Sequence, residues 1–182
     1  MTSLIQPSHI TEEKSLISEY LRQSAGQWHS ERRYYTLPEG ETQEMVSWIA
    51  IRFLEAGSPE LIHLAELHKL SDPKALLCGS HVSWKSTNVV SGHQQSEGST
   101  LFGVLGSIMY RDRGFATSKP VTAEFYLPNP HTLCLRTEYN GSVFEEELKH
   151  IGHNYRTRQT IISRAGEEKM IGQYLEKRIQ TT

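Results

Sequence analysis

The chain has 182 residues, 37% of them hydrophobic and 22% charged, with a formal net charge of −2. That length suits one domain with one core, and the near-neutral balance excludes a broad electrostatic attraction to nucleic acid or anionic lipid. The two cysteines, Cys78 and Cys134, form no CxxC pair, zinc-ligand spacing or disulfide framework, so a reducing compartment is expected.

Residues 1–10 have little periodicity and one proline and read as a loose arm. No basic stretch followed by an apolar one marks a signal peptide, and no run approaches the roughly 18 apolar residues of a membrane span. Thr11 then opens a helical pattern, with Glu12 and Glu13 suited to the positive end of a helix dipole. Leu16, Ile17, Tyr20 and Leu21 recur at helical spacing and Gly26 ends the pattern, which predicts a helix over about 12–24.

The spacing next changes to period two. Strands are predicted over 27–36 and 43–54, then a second helix over 58–70, with Ser58 as cap, Pro59 at the first position and Leu61, Leu64, Ala65 and Leu67 as a stripe. Further strands follow over 79–85, 100–108, 121–127, 131–139, 143–151, 155–163 and 169–179. Pro38-Glu39-Gly40, Pro128-Asn129-Pro130, Asn140-Gly141 and Ala165-Gly166 have turn chemistry, Asn140-Gly141 most strongly. The stretch Ser91–Gly98 reads as a flexible connection bordering a barrel mouth. Closely spaced sequential strands favour an antiparallel meander closed into a mainly β barrel of about nine or ten strands, wide enough for one small ligand. A sandwich is the competing architecture.

Strand alternation says which side chains share a face. Phe144, Glu146, Leu148 and His150 form the apolar face of 143–151 and should point inward, bringing a carboxylate that needs a partner. Arg156, Arg158, Thr160 and Ile162 share a face of the next strand, although hydrophobicity alone does not choose between that face and the opposite one. Trp28, Ser30, Arg32 and Tyr34 share a face of the first strand, and Val82 and Trp84 one of the third. Such a set fits a flat conjugated ligand bearing acidic groups: arginine pairs bidentately with carboxylates, tryptophan stacks, and a buried Glu accepts bonds from ring N–H groups. The plainer alternative is a structural Glu146–Arg156 ion pair with the other arginines solvated.

The same residues resemble the S-type phycobiliprotein lyase family (CpcS/CpeS-like). Ser24-Ala25-Gly26-Gln27-Trp28-His29-Ser30-Glu31-Arg32 resembles the family's S-x-G-x-W-x-S-x-R opening, and Val82-Ser83-Trp84 its V/M-S-W strand. Tyr110-Arg111-Asp112-Arg113-Gly114-Phe115-Ala116 resembles the L-R-D-x-G-Y-A turn. Thr137-Glu138-Tyr139, Glu146 and Asn154-Tyr155-Arg156-Thr157-Arg158-Gln159-Thr160 resemble T-x-Y, E and N-L-R-L-R-x-S. The resemblance spans about residues 18–179. It departs where a second Trp often follows the V/M-S-W strand (here Thr87-Asn88-Val89-Val90) and where an aromatic segment usually follows the Glu (here Leu148-Lys149-His150).

The resemblance implies a lipocalin-like barrel that binds a phycobilin, phycoerythrobilin or phycocyanobilin, without a covalent bond. It implies transfer of that bilin to a phycobiliprotein cysteine, with a thioether formed at the A-ring ethylidene. Carried over residue by residue, the pocket is Arg32, Trp84, Arg156, Arg158 and Thr160 for the bilin, with Glu146 as the catalytic group. Arg156 and Arg158, with Arg32, are expected to hold the bilin propionates, and Glu146 to bond the pyrrole nitrogens. The bilin is substrate rather than prosthetic group, and no metal is expected; the H-x-x-H of His150 and His153 is a weak signal. Expected partners are a phycobiliprotein subunit, the β subunit first, and a second copy or a paralogue of this chain, in a cyanobacterial cytoplasm or plastid stroma. The competing readings are a non-enzymatic carrier of a bilin or other hydrophobic acid in the same barrel, and a ligand-free interaction module. Cys78 reads as a packed free thiol, and Cys134, between Leu133 and Leu135, as a structural cysteine, with a covalent bilin link there as the alternative.

Overall fold

The computed structural model describes residues 7–180, with side chains described from residue 16 onward apart from 94 and 95. Residues 1–6 of the expected arm lie outside the described residues. The elements are α1 (Pro7–Ser24), β1 (Gly26–Thr36), β2 (Thr42–Glu55), α2 (Pro59–Leu67), β3 (Cys78–Asn88), β4 (Gln94–Leu105), β5 (Ile108–Arg111), β6 (Val121–Asn129), β7 (Thr132–Tyr139), β8 (Ser142–Ile151), β9 (Tyr155–Arg164) and β10 (Glu167–Ile179). Each strand pairs antiparallel with the next in sequence, and β10 closes on β1 from Gln27↔Ile179 to Thr36↔Met170. The result is a closed ten-stranded barrel rather than a sandwich, and closure leaves no sheet edge unpaired.

Three boundaries differ from expectation for identifiable reasons. α1 begins at Pro7, so residues 7–10 of the expected arm are helical and Thr11 lies inside the helix; a proline in the first turn gives up an N–H that has no intrahelical partner anyway. Most of the stretch expected as a flexible connection is the start of β4, paired with β3 through Ser86↔Ser96 and Trp84↔Gly98. Its polar residues form a strand because β3 supplies the ladder, not because of any apolar alternation. The expected strand over 100–108 ends at Leu105. Gly106, at φ +60, then turns the chain, with Ser107, into the four-residue β5.

The Asn140-Gly141 turn has φ of 51 and 73, the positive pair a two-residue hairpin needs. Ala165-Gly166 repeats it with φ of 53 and 79. Ala165 thus holds a left-handed conformation that its Cβ disfavours.

α1 stoppers one end of the barrel. Its Ile17, Tyr20 and Leu21 are buried with Val104, Met109, Leu133 and Leu135 of the barrel interior. The Tyr20 hydroxyl donates to the Leu148 carbonyl at 3.1 Å, and the fully buried Trp28 donates from Nε1 to the Ser24 carbonyl at 2.9 Å. α2 packs on the outer side through Leu61, Leu64 and Ala65, in a separate cluster with Leu54 and Leu76. It comes close because Gly79 and Gly103 face each other across β3 and β4. A Cβ at Gly103 would stand 2.7 Å from Leu76 Cδ1 and 2.9 Å from Leu64 Cδ2. Among the described residues no helix is long and apolar enough to cross a membrane.

Ala165→Asn should stabilise the chain by about 1 kcal/mol, because asparagine tolerates positive φ far better than alanine. Urea unfolding of the two proteins measures the difference.

Candidate functional site

The barrel interior holds a cavity of about 320 Å³ floored by Tyr20, Leu21 and Ser24 of α1. That volume falls within the roughly 300–1,000 Å³ of small-molecule sites. Its apolar wall includes Ile49, Val82, Phe102, Leu133 and Leu135. Trp84 lines it half-buried, with its indole laid over its cross-strand partner Gly98, where a Cβ would come within 2.9 Å of Cζ2. Only glycine leaves that space to the ring. The exposed Arg113 guanidinium stands 5.9 Å from the Trp84 ring centroid.

Alternation on β8 and β9 turns the charged residues inward. Glu146 is 6% exposed, on the buried face with Phe144 and His150. Arg156 and Thr160 are buried and Arg158 half-buried, while Tyr155, Thr157 and Gln159 face out. The face that hydrophobicity left undecided is therefore the arginine face. Register then selects partners. Directly opposite Glu146 stands Thr160, and Arg158 is the diagonal neighbour opposite Leu148, within reach of a long side chain. Arg158 Nη2 donates to Glu146 Oε1.

Arg156 stands two positions earlier on β9, opposite His150 on one side and Glu176 of β10 on the other. Its Nη2 donates to Glu176 Oε2 at 3.0 Å, with side-chain exposures of 5% and 0%. Trp28 lies beneath, its ring 5.0 Å from the Arg156 guanidinium carbon. The Glu146–Arg156 pair considered from the sequence is thus two separate pairs, Glu146–Arg158 and Glu176–Arg156. Burial, the largest influence, would lower the Arg158 pKa; the Glu146 carboxylate together with Tyr174 and Glu176 outweighs it, and the net shift is upward.

Among the described residues, the other interior arginines meet no carboxylate in an ion pair. Arg32 donates from Nη1 to the Tyr34 hydroxyl at 3.1 Å and from Nη2 to Ser86 Oγ at 2.5 Å; Ser86 Oγ also bonds Ser47 Oγ at 2.7 Å. Tyr34 accepts a further bond from the Tyr174 hydroxyl at 3.2 Å. Burial raises the Tyr174 pKa, opposed by the nearby Arg158. Arg111, 8% exposed, also lines the cavity, between the rings of Phe102 and Phe115.

Of the residues singled out from sequence, Arg32, Trp84, Glu146, Arg156 and Arg158 all line this cavity. Thr160 does not; it is buried in an adjoining cleft that shares Tyr34, Phe115 and Tyr174 with the main cavity. Sequence reasoning missed Glu176, Arg111 and Tyr174. Tyr174, Glu176 and Arg178 share one period-two row of β10, but that row is less apolar than the one carrying Ile171 and Leu175, so alternation alone does not turn it inward. His150 belongs to the barrel floor: its Nε2 is 3.0 Å from Ser24 Oγ and its ring 4.6 Å from that of Tyr20, whereas His153 is exposed. Burial chiefly, with Arg156 and Arg178 nearby, depresses the His150 pKa to about 4. Burial pushes the Tyr20 phenol up to about 12 and the Cys78 thiol up to about 11. Cys134 alternates away from the buried Leu133 and Leu135 and lies outside the cavity.

The fold and this interior define a barrel-type small-molecule binding protein with a cationic, aromatic-walled cavity. The family model described as CpeS-like protein matches residues 16–179. A Nostoc sp. protein named "Putative phycocyanobilin lyase CpcS 2" is 67% identical over 169 residues, covering 93% of this chain and 94% of that protein. A Picosynechococcus sp. protein named "Putative chromophore lyase CpcV" is 50% identical over 161 residues, covering 88% and 80%. Among solved structures, the S-type phycobiliprotein lyase CPES from Guillardia theta superposes with a TM-score of 0.76 at 20% identity, over 97% of this chain and all of that one. The chain belongs to the CpeS-like family.

Two outcomes follow. The fold holds His150 neutral, so the stability this contributes is fully present above the ordinary histidine pKa of about 6.5 and is lost as pH falls toward 4. Urea unfolding at pH 7 and pH 4 should show a loss from this group of about 3 kcal/mol, absent in His150→Gln. Glu176→Gln strands the buried Arg156 cation and should cost about 3–5 kcal/mol at pH 7, read from the shift in urea midpoint.

Proposed function

We propose that this chain is a phycobiliprotein lyase. It binds a phycobilin, phycoerythrobilin or phycocyanobilin, non-covalently in the barrel and transfers it to a cysteine of a phycobiliprotein subunit, the β subunit first. The observation that carries the reading is the Glu146 carboxylate turned into a cavity walled by Trp84 and several arginines, in a chain of the CpeS-like family.

Each side chain has a part. Trp84 stacks on the conjugated plane. Glu146 gives one oxygen to Arg158, while Oε2 accepts no hydrogen bond among the described residues and suits the pyrrole N–H groups. A carboxylate there favours the protonated ring system, which is more electrophilic. Arg158 holds Glu146 in place, and Arg156, neutralised by Glu176, belongs to the floor; this departs from the expectation that both clamp propionates. Arg32 faces a propionate. Thr160 sits opposite Glu146 on the next strand, its buried hydroxyl without a hydrogen-bond partner among the described residues.

The nucleophile belongs to the acceptor. Its thiolate bonds to the ethylidene carbon, the electron pair of that double bond moves into the conjugated system, and a proton is taken up there. The barrel contributes fixed geometry and a protected face, which is catalysis by positioning. The chain works as a homodimer or with a paralogue, in the cytoplasm of a cyanobacterium or the stroma of a plastid.

Co-expression with bilin-synthesis enzymes and candidate α and β subunits tests the reading, with the modified cysteine mapped by mass spectrometry. The wild type should yield a coloured adduct. Glu146→Gln should lower the transfer rate by about 100-fold, the usual scale for a positioned acid–base group, and shift the absorption of the bound bilin. Uptake of a fatty acid with no coloured complex would point instead to a carrier of aliphatic acids.

A further inference from the structure

The charges inside the barrel do not balance. Arg158 has Glu146 and Arg156 has Glu176, which leaves three cavity-lining guanidinium groups with no ion-pair partner among the described residues: the exposed Arg113, and Arg32 and Arg111, which are not exposed. Arg32 is held by neutral hydroxyls. Arg111 is more exceptional. It is 8% exposed, its side chain donates no hydrogen bond among the described residues, and its buried Nε has no partner. Its own neighbour does not serve it: the Asp112 carboxylate accepts from Thr100 Oγ1 at 2.7 Å and from the Leu101 amide at 2.9 Å.

What holds Arg111 is aromatic. Its guanidinium carbon lies 4.7 Å from the Phe102 centroid and 4.8 Å from the Phe115 centroid. Ring faces fix a planar cation without consuming its N–H groups, so the donors remain free for a ligand. The site is costly when empty. Burial lowers the Arg111 pKa, although Glu146 nearby opposes this, and an unpaired buried charge lowers stability unless something neutralises it. β5 is short, yet its alternation turns Met109 and Arg111 inward together, so the side chain is directed at the cavity by the strand itself.

We propose that Arg111 is an anion-binding residue of the cavity that takes one carboxylate of a dianionic ligand, while Arg32 on another wall takes the second. This rests on the phycobilin reading above and deepens it: the two uncompensated cations that are not exposed match the two propionates of an open-chain tetrapyrrole. It also explains why the arginines of β9 are already neutralised. They would otherwise compete for the same acids and blur the orientation of the ligand.

Absorbance titration of purified protein with a phycobilin and with its dimethyl ester, which lacks both negative charges, separates the possibilities. The wild type should bind the diacid more tightly than the diester. Arg111→Gln should weaken diacid binding by about 10- to 100-fold, the scale of a charge-assisted hydrogen bond, and diester binding by less than about 3-fold. Arg111→Lys should recover part of the preference for the diacid. The ligand-free Arg111→Gln protein should melt no lower than the wild type, because it loses a buried charge that nothing pairs. Equal weakening of diacid and diester, or a lower melting temperature with no change in preference, would assign Arg111 a structural role and overturn the proposal. Unchanged diacid affinity in Arg111→Gln would overturn it alone, whereas a wild type that takes up neither form would overturn the phycobilin reading with it.

Discussion

Burying charge inside a closed barrel is the constraint on which this architecture turns. Closure sends every second side chain of ten strands toward a common interior, and on β9 two of those side chains are arginines. Each needs a counter-charge, and one flanking strand supplies each: β8 provides Glu146 for Arg158, and β10 provides Glu176 for Arg156. Two arginines of one inward row thus reach to opposite flanking strands. A slip of one residue in either ladder would carry a glutamate to the outside and leave a guanidinium stranded, so the two pairs also specify the register on both sides of β9.

The two pairs differ in what surrounds them. Glu176 and Arg156 lie over Trp28, next to the stopper formed by α1, where Ser24, Tyr20 and His150 complete a buried polar layer. Glu146 and Arg158 stand further up beside open space, with Tyr174 against the guanidinium at 4.9 Å. The same chemistry therefore serves as foundation at one level and as working surface at the next. The tight contact of Trp84 with Gly98 belongs to that upper level, where removal of one methyl group's worth of space would displace the ring.

Much of this was readable before any coordinates. Helix–strand order, the barrel, and the inward rows of β1, β3 and β8 all follow from alternation that stays clean over many residues. The arginine row of β9 was ambiguous because neither face is decisively apolar, and only pairing with β8 and β10 resolves it. Glu176 was hidden for a related reason. On β10 the apolar Ile171 and Leu175 occupy the face that turns outward at Leu175, which is 51% exposed, while a glycine, a tyrosine and a fully buried glutamate form the inner row. Hydrophobicity points the wrong way there because the inner row carries the counter-charge for Arg156. Arg111 escaped because four residues are too few to show a period, and the start of β4 because its strand character comes from β3 alone.

The helical stopper has a topological consequence. With Tyr20, Leu21 and Ser24 forming the cavity floor, the container is a cup rather than a tube. Whatever is taken in must leave by the route it came, last part in and first part out. The end of any ligand offered to the outside is therefore decided at loading.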